Sequence, residues 1–205
     1  MTQAGADLSG AYPPPIVAPL ILASASPRRL ELLARIGVAP ARVLPADVDE
    51  SPRRDEVPRL LAARLAEAKA LAVEAPGALV LAADTVVGVG RRILGKPADA
   101  AEARRFLELL SGRRHQVHTG VVLRLPDGAL RRRLVSSVVA FQRLTAQQIA
   151  AYLDSGEWQG KAGGYAIQGR AEMFVRFLSG SHSNVVGLPL FETAQLLRGC
   201  GWLRP

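Results

Sequence analysis

Fully apolar runs and runs of helical spacing follow one another along this chain. Residues 16–23, and LVLAA at residues 79–83, show no polar alternation and predict buried strands. Between them Leu30, Leu33 and Ala34 recur at helical spacing, with Gly37 as a stop, and residues 43–48 form a second strand. Apolar residues at 57, 61, 65, 68 and 72 mark one face of a long helix that ends before Pro76-Gly77. The strand at 78–89 carries Asp84-Thr85 at its far end, and VGVGRRIL turns as a hairpin around Gly90-Arg91.

Asp99 and Glu102 make a capping box ahead of Phe106, Leu107 and Leu110, and Ser111-Gly112 ends that helix. Two long strands, 115–125 and 130–142, meet at Pro126-Asp127-Gly128. Thr145 and Gln148 cap another short helix, which Gly156 stops. A glycine-rich loop, GKAGGYAIQG, leads into a strand at 172–178, and a last helix with Pro189 in its first turn runs to Gly199. Strands alternating with helices predict an α/β fold, and the long hairpins predict a mixed central sheet flanked by helices.

Composition narrows the class. The chain has 205 residues, 49% hydrophobic and 21% charged, which suits one domain of generous size or two lobes sharing a cleft. No apolar run approaches the roughly eighteen residues of a membrane helix. MTQAGADLSGAYPPP lacks a basic start and an apolar core, so residues 1–15 read as a flexible extension and 16–205 as the folded domain. Cys200 stands alone, which excludes an internal disulfide and a cysteine zinc cluster and fits a cytoplasmic protein.

The net charge of +8 draws polyanions: nucleic acid, anionic lipid or phosphorylated small molecules. Aromatic residues make up only 5%, too few for base-stacking platforms, so stable nucleic-acid binding is not expected.

Several residues carry candidate chemistry. Ser24 and Ser26 stand where a strand turns into a helix, ahead of Pro27, Arg28 and Arg29. Backbone N–H groups, hydroxyls and guanidinium forks together suit an anion, although the P-loop pattern is absent. The alternative is a capped surface helix with two solvated arginines. Asp84-Thr85 follows an apolar strand, where ligands of open α/β sheets bind. A carboxylate there holds a divalent cation, orients water or takes its proton; the alternative is a turn or cap residue. Lys69, on the polar border of its helix, and Lys96, in Gly-Lys-Pro, are single cations that a solvated surface would also explain. Asp47, Asp49 and Glu50 form an acidic knot that holds a cation or balances arginines. His115, His118 and His182 lack ligand spacing and read as structural or surface groups. Ser181 and Asn184 lie in what reads as a turn.

Taken in order, SASPRR, DVDE, RLAEAKA, AADTVV, GKP, HQVHTGV, KAGGYAIQG and GSHSNVVGLPL resemble the Maf family of nucleoside triphosphate pyrophosphatases, from about residue 20 to residue 197. The resemblance implies two lobes around a long central sheet, a fold shared with inosine triphosphatases. It implies a nucleoside triphosphate substrate, cleavage between its α- and β-phosphates, a divalent cation (Mg²⁺ or Mn²⁺) and a possible homodimer. On the matching motifs Asp84 takes the catalytic acidic position, with Asp84 and Glu50 as metal residues. Arg28, Thr85 and Gln168 take the substrate-selecting positions, and Arg29, Lys69 and Lys96 the polar cleft positions beside Ser24 and Ser26. Gln168 implies the dTTP and UTP branch, because an amide meets both a carbonyl acceptor and an N–H donor of a pyrimidine. The alternatives are a 7-methyl-GTP or broad-specificity pyrophosphatase, or a non-enzymatic basic nucleic-acid-binding or septation regulator. The chain departs from the pattern at Gly160, where many relatives have Asp directly before the lysine.

Overall fold

The computed structural model of the chain describes residues 17–203. The extension expected at 1–15 and the first residue of the expected opening strand lie outside the described residues. The strands are β1 (Leu20–Ala23), β2 (Arg42–Val43), β3 (Leu79–Val89), β4 (Arg92–Leu94), β5 (Arg114–Arg124), β6 (Leu130–Phe141) and β7 (Val175–Ser179). They form one sheet in the order β2-β1-β3-β5-β6-β7, with β4 also paired to β3. Pairing is parallel between β1 and its neighbours β2 and β3, and antiparallel elsewhere, which is the mixed sheet the sequence predicts. The helices are α1 (Pro27–Arg35), α2 (Pro58–Ala72), α3 (Ala100–Leu110), α4 (Ala146–Asp154), α5 (His182–Val186) and α6 (Leu190–Gly199). None of these is long and apolar enough to cross a membrane.

Residues along β3 explain its unbroken apolar run. Leu79, Leu81, Ala83 and Val87 enter a core shared with Leu32 and Leu33 of α1, Leu107 of α3, Ile149 of α4 and Leu197 of α6. The intervening Val80 and Ala82 pack on Ala66 and Ala70 of α2, and Val86 packs on Leu61 and Leu65. Helices cover both faces, so alternation vanishes from the hydrophobicity of the strand. The same alternation sends Asp84 to the α2 face and Thr85 to the other.

Several expectations need correction. The second strand, expected over 43–48, is confined to Arg42–Val43, and Val43 is 41% exposed. Pro45 has no N–H to give a ladder, so the chain beyond it runs irregularly toward Glu50. In α1 the buried stripe is Arg29, Leu32 and Leu33, and Leu30 faces outward. In α2 the buried stripe is Leu61, Leu65 and Lys69 beside Ala62, Ala66 and Ala70. Lys69 therefore lies inside the apolar face, 7% exposed, and not on its polar border. At α3 the box is half made: Asp99 accepts from Glu102 N, while the Glu102 carboxylate accepts from Ala98 N. Thr145 and Gln148 close both halves of theirs. Pro189 is the N-cap of α6, one position earlier than expected. The segment read as a turn at 181–184 opens α5, whose N-cap Ser181 accepts from Asn184 N.

Candidate active site

The site begins with a gap in the sheet. One edge of β3 pairs with β1 from Leu79 to Ala82 and with β4 from Val87 to Val89. Residues 83–86, between these segments, have no strand on that edge among the described residues. Asp84-Thr85 is thus not the end of β3, as the sequence suggests; what ends there is its parallel neighbour β1. Beyond Ala23 the chain peels away through Ser24, Ala25 and Ser26 into α1 and leaves a cavity of about 350 Å³ beside the open edge. Ser24, Ser26, Arg28, Arg29, Glu50, Lys69, Asp84, Thr85, Lys96 and Gln168 all line it. These ten candidates thus face one hollow, whereas of the acidic knot only Glu50 lines it, and Asp49 instead accepts from Ser51 N at 2.9 Å.

The opening loop is tied from within. Ser24 Oγ accepts from Ser26 N at 3.1 Å and from an Arg29 terminal nitrogen at 3.1 Å. Ser26 caps α1 by backbone conformation alone, so its hydroxyl is not spent on the helix. Arg29 Nε donates to Gly187 O at 2.8 Å, and its other terminal nitrogen donates to Thr85 Oγ1 at 3.3 Å. One guanidinium so fastens α1, β3 and the segment after α5. Burial pushes its pKa down, against the opposing pull of Asp84. Two of its five N–H groups remain for a ligand.

Gly187 presents its carbonyl to Arg29 with a backbone φ of +135°, which a side chain would strain. Thr85 Oγ1 bonds Thr119 Oγ1 at 2.9 Å, and Thr119 donates to Asn184 O at 3.1 Å. The fully buried Asn184 donates in turn to Val117 O and Ser137 Oγ, each at 3.0 Å, and thereby anchors α5 to β5 and β6.

On the α2 side the charges are linked. Lys69 Nζ donates to Asp84 Oδ1 at 2.5 Å and to Glu50 Oε1 at 2.6 Å, and Lys96 Nζ donates to Glu50 Oε2 at 2.9 Å. Burial raises the pKa of Glu50, but the hydrogen bonds and charges of the two lysines outweigh it and hold the carboxyl at about 2. Glu50 is therefore ionised at neutral pH. Asp84 Oδ2 carries no hydrogen bond from the described residues.

Sequence reasoning missed Lys161 as a lining residue, although it is the one cation of the loop GKAGGYAIQG. It also read Asn184 as a loop residue, where the Ser-x-x-Asn cap spacing signals a helix start. His115 and His118 are structural, as expected. His115 Nε2 meets the Tyr165 hydroxyl at 2.8 Å and His118 Nδ1 meets Ser136 Oγ at 2.7 Å, outside the cavity lining.

Five cations, two carboxylates and several hydroxyls around one hollow suit a phosphate-rich ligand with an acidic group beside it. Residues 19–200 match the family model described as Maf-like protein, and the chain belongs to the Maf family. It is 63% identical over 183 residues to the dTTP/UTP pyrophosphatase of Sphingopyxis alaskensis, covering 89% of this chain and 96% of the relative. With the dTTP/UTP pyrophosphatase of Rhodospirillum rubrum identity is 62% over 186 residues, covering 90% and 89%. With that of Hyphomonas neptunium it is 59% over 187 residues, covering 91% and 98%. Among solved structures, a HAM1 protein from Coxiella burnetii gives a TM-score of 0.48 at 18% identity, covering 88% of this chain and 98% of that one.

Proposed function

We propose that this protein hydrolyses dTTP and UTP to the nucleoside monophosphate and pyrophosphate, with water attacking the α-phosphorus beside Asp84. The observation that carries the reading is the joint presence of Asp84, Thr85, Gln168 and five cations around one cavity, together with relatives named dTTP/UTP pyrophosphatase. Asp84 orients the water through its free oxygen and takes a proton as the oxygen–phosphorus bond forms. The bond from the α-phosphorus to the bridging oxygen breaks, and its electron pair leaves with pyrophosphate. Lys69 holds Asp84 in place, because its ammonium donates to that carboxylate from a buried position. The cations of the cavity lower the barrier by meeting the charge that builds on the leaving group.

A divalent cation fits this donor set in a limited way. No group of three or more His, Cys, Asp or Glu side chains that could hold a metal occurs among the described residues. Asp84 and Glu50 supply two carboxylates, and Mg²⁺ characteristically binds one or two carboxylates together with substrate phosphates. When bound, it supplies charge neutralisation at the phosphates and a water of lowered pKa.

Gln168 stands exposed on the cavity wall, where its amide can both donate to and accept from a pyrimidine. Hydrolysis of dTTP in ¹⁸O-water tests the position of attack. The label is expected in the monophosphate; label in the pyrophosphate would place attack on the β-phosphorus and overturn the mechanism.

A further inference from the structure

The cations of the cavity differ in what already engages them. Lys69 and Lys96 are bonded to Asp84 and Glu50, so their charge is largely met within the protein. Arg29 gives three of its five N–H groups to Gly187 O, Ser24 and Thr85 as a tether, and two remain. Lys161 differs. Its ammonium donates to the backbone carbonyl of Gln159 at 2.9 Å, and no carboxylate lies within ion-pair distance among the described residues. Arg28, on the adjoining wall, likewise has no ion pair among them. Glu157, whose charge acts on Lys161, is turned to Arg170, accepting from its N–H at 2.8 Å and pairing with its guanidinium at 3.8 Å.

Lys161 and Arg28 line the same cavity, and the charge of Arg28 bears on Lys161. Burial lowers the pKa of Lys161, and the like charge of Arg28 lowers it further, against the pull of Glu157. Burial lowers that of Arg28 as well, against the pull of Glu31. Both are partly buried on the lining of one hollow and neither has an ion pair among the described residues, so an anion placed between them meets positive charge that the protein leaves unpaired. A lysine ammonium with two unspent N–H groups and a guanidinium fork suit adjacent phosphates. Glycine residues on either side, at 160 and 163–164, let the loop bring the lysine to the cavity wall without a bulky neighbour.

We propose that Lys161 is a phosphate-binding residue that, paired with Arg28, receives the pyrophosphate half of the substrate. This rests on the proposed nucleotide hydrolysis, with Asp84 at the α-phosphorus and the Lys161–Arg28 pair on the departing group. Lys161 thereby belongs with the substrate-binding residues, and Glu157 matters by pairing with Arg170 and so leaving the lysine free.

Calorimetric titration of inorganic pyrophosphate into the wild type, Lys161→Met and Lys161→Arg tests the assignment, with Arg131→Met on β6 as a control for general charge. A charge-assisted contact is worth about 1.5–3 kcal/mol, so Lys161→Met is expected to bind pyrophosphate about tenfold more weakly or worse. Lys161→Arg is expected to keep most of the affinity and Arg131→Met all of it. Equal affinity in all four proteins, or no binding by the wild type, overturns the assignment, as does a loss in Arg131→Met equal to that in Lys161→Met. Pyrophosphate release from dTTP by the wild type is scored separately. If it is absent while the titration shows the expected pattern, the hydrolytic reading fails and the anion pair stands.

Discussion

Asp84 on β3 lies directly across the ladder from Gly120 on β5, and Gly120 is where α2 rests on the sheet. A Cβ at Gly120 would stand 2.4 Å from the carbonyl oxygen of Ala62 and 2.9 Å from its carbonyl carbon. These are backbone atoms of a helix and cannot rotate away. The missing side chain therefore sets the height of α2 above the strand, and that height lets Lys69, two turns further along α2, reach Asp84.

Gly120→Ala is expected to lift α2 and loosen this contact. Overpacking of this kind costs about 1–3 kcal/mol, or a fall of several degrees in melting temperature for a chain of this size. Turnover of dTTP is expected to fall in the molecules that remain folded. A thermal melt alongside a dTTP assay checks both, and wild-type values in each would show that the close approach is not needed.

Asp84→Asn keeps the size of the side chain and its ability to accept from Lys69. It is expected to fold with the wild-type circular dichroism spectrum yet lose about 10²–10³ in kcat, the usual cost of removing a preorganised charged contact at a reacting centre. Pyrophosphate release at the wild-type rate by a folded Asp84→Asn would remove Asp84 from the mechanism.

Much of this arrangement was legible in the sequence, for identifiable reasons. The order of strands and helices follows from apolar runs, caps and glycine stops, which act locally. LVLAA reads as a buried strand because both of its faces are covered. Other features depend on partners distant in sequence and left no local mark. Lys69 reads as a border residue until the stripe of Leu61, Leu65 and Ala66 is seen to pack on the sheet with Lys69 inside it. Asp84 reads as the end of a strand because its polarity interrupts an apolar run, whereas the strand continues and its neighbour stops. The site residues come from segments joined by family order, and only the gap between β1 and β4 explains why they share one hollow.

His115 gives a prediction about acid stability. Burial holds its imidazole at about 4, well below the ordinary 6.5, with Nε2 on the Tyr165 hydroxyl and no partner for Nδ1 among the described residues. The unfolded chain takes up a proton below pH 6.5 that the folded chain refuses until about pH 4. This contribution is fully present above pH 6.5 and declines as the pH falls toward 4, by roughly 3 kcal/mol in all. His115→Gln, which cannot titrate and can still meet Tyr165, is expected to lose less stability between pH 7.5 and 4.5. Urea midpoints at the two pH values measure this, and parallel losses in both proteins would rule the histidine out as the cause.

Gln168→Glu removes the donor half of the amide while keeping its length. A carboxylate accepts only, so the pyrimidine N–H keeps a partner while the carbonyl loses one. The variant is expected to lose kcat/KM for dTTP and UTP by about tenfold or more, since an unpaired polar group in a recognition site discriminates strongly. The ratio of kcat/KM for dTTP to that for 7-methyl-GTP reads the effect, and an unchanged ratio would take Gln168 out of base selection.

One cavity at the open edge of β3 is expected to cleave pyrimidine nucleoside triphosphates between the α- and β-phosphates. The most direct measurement is a panel of nucleoside triphosphates incubated with the wild type and Mg²⁺ or Mn²⁺, with the products resolved by phosphorus NMR. Monophosphate and pyrophosphate are expected, with dTTP and UTP turned over ahead of the other nucleotides. Diphosphate and orthophosphate as products, or 7-methyl-GTP far ahead of dTTP and UTP, would contradict it.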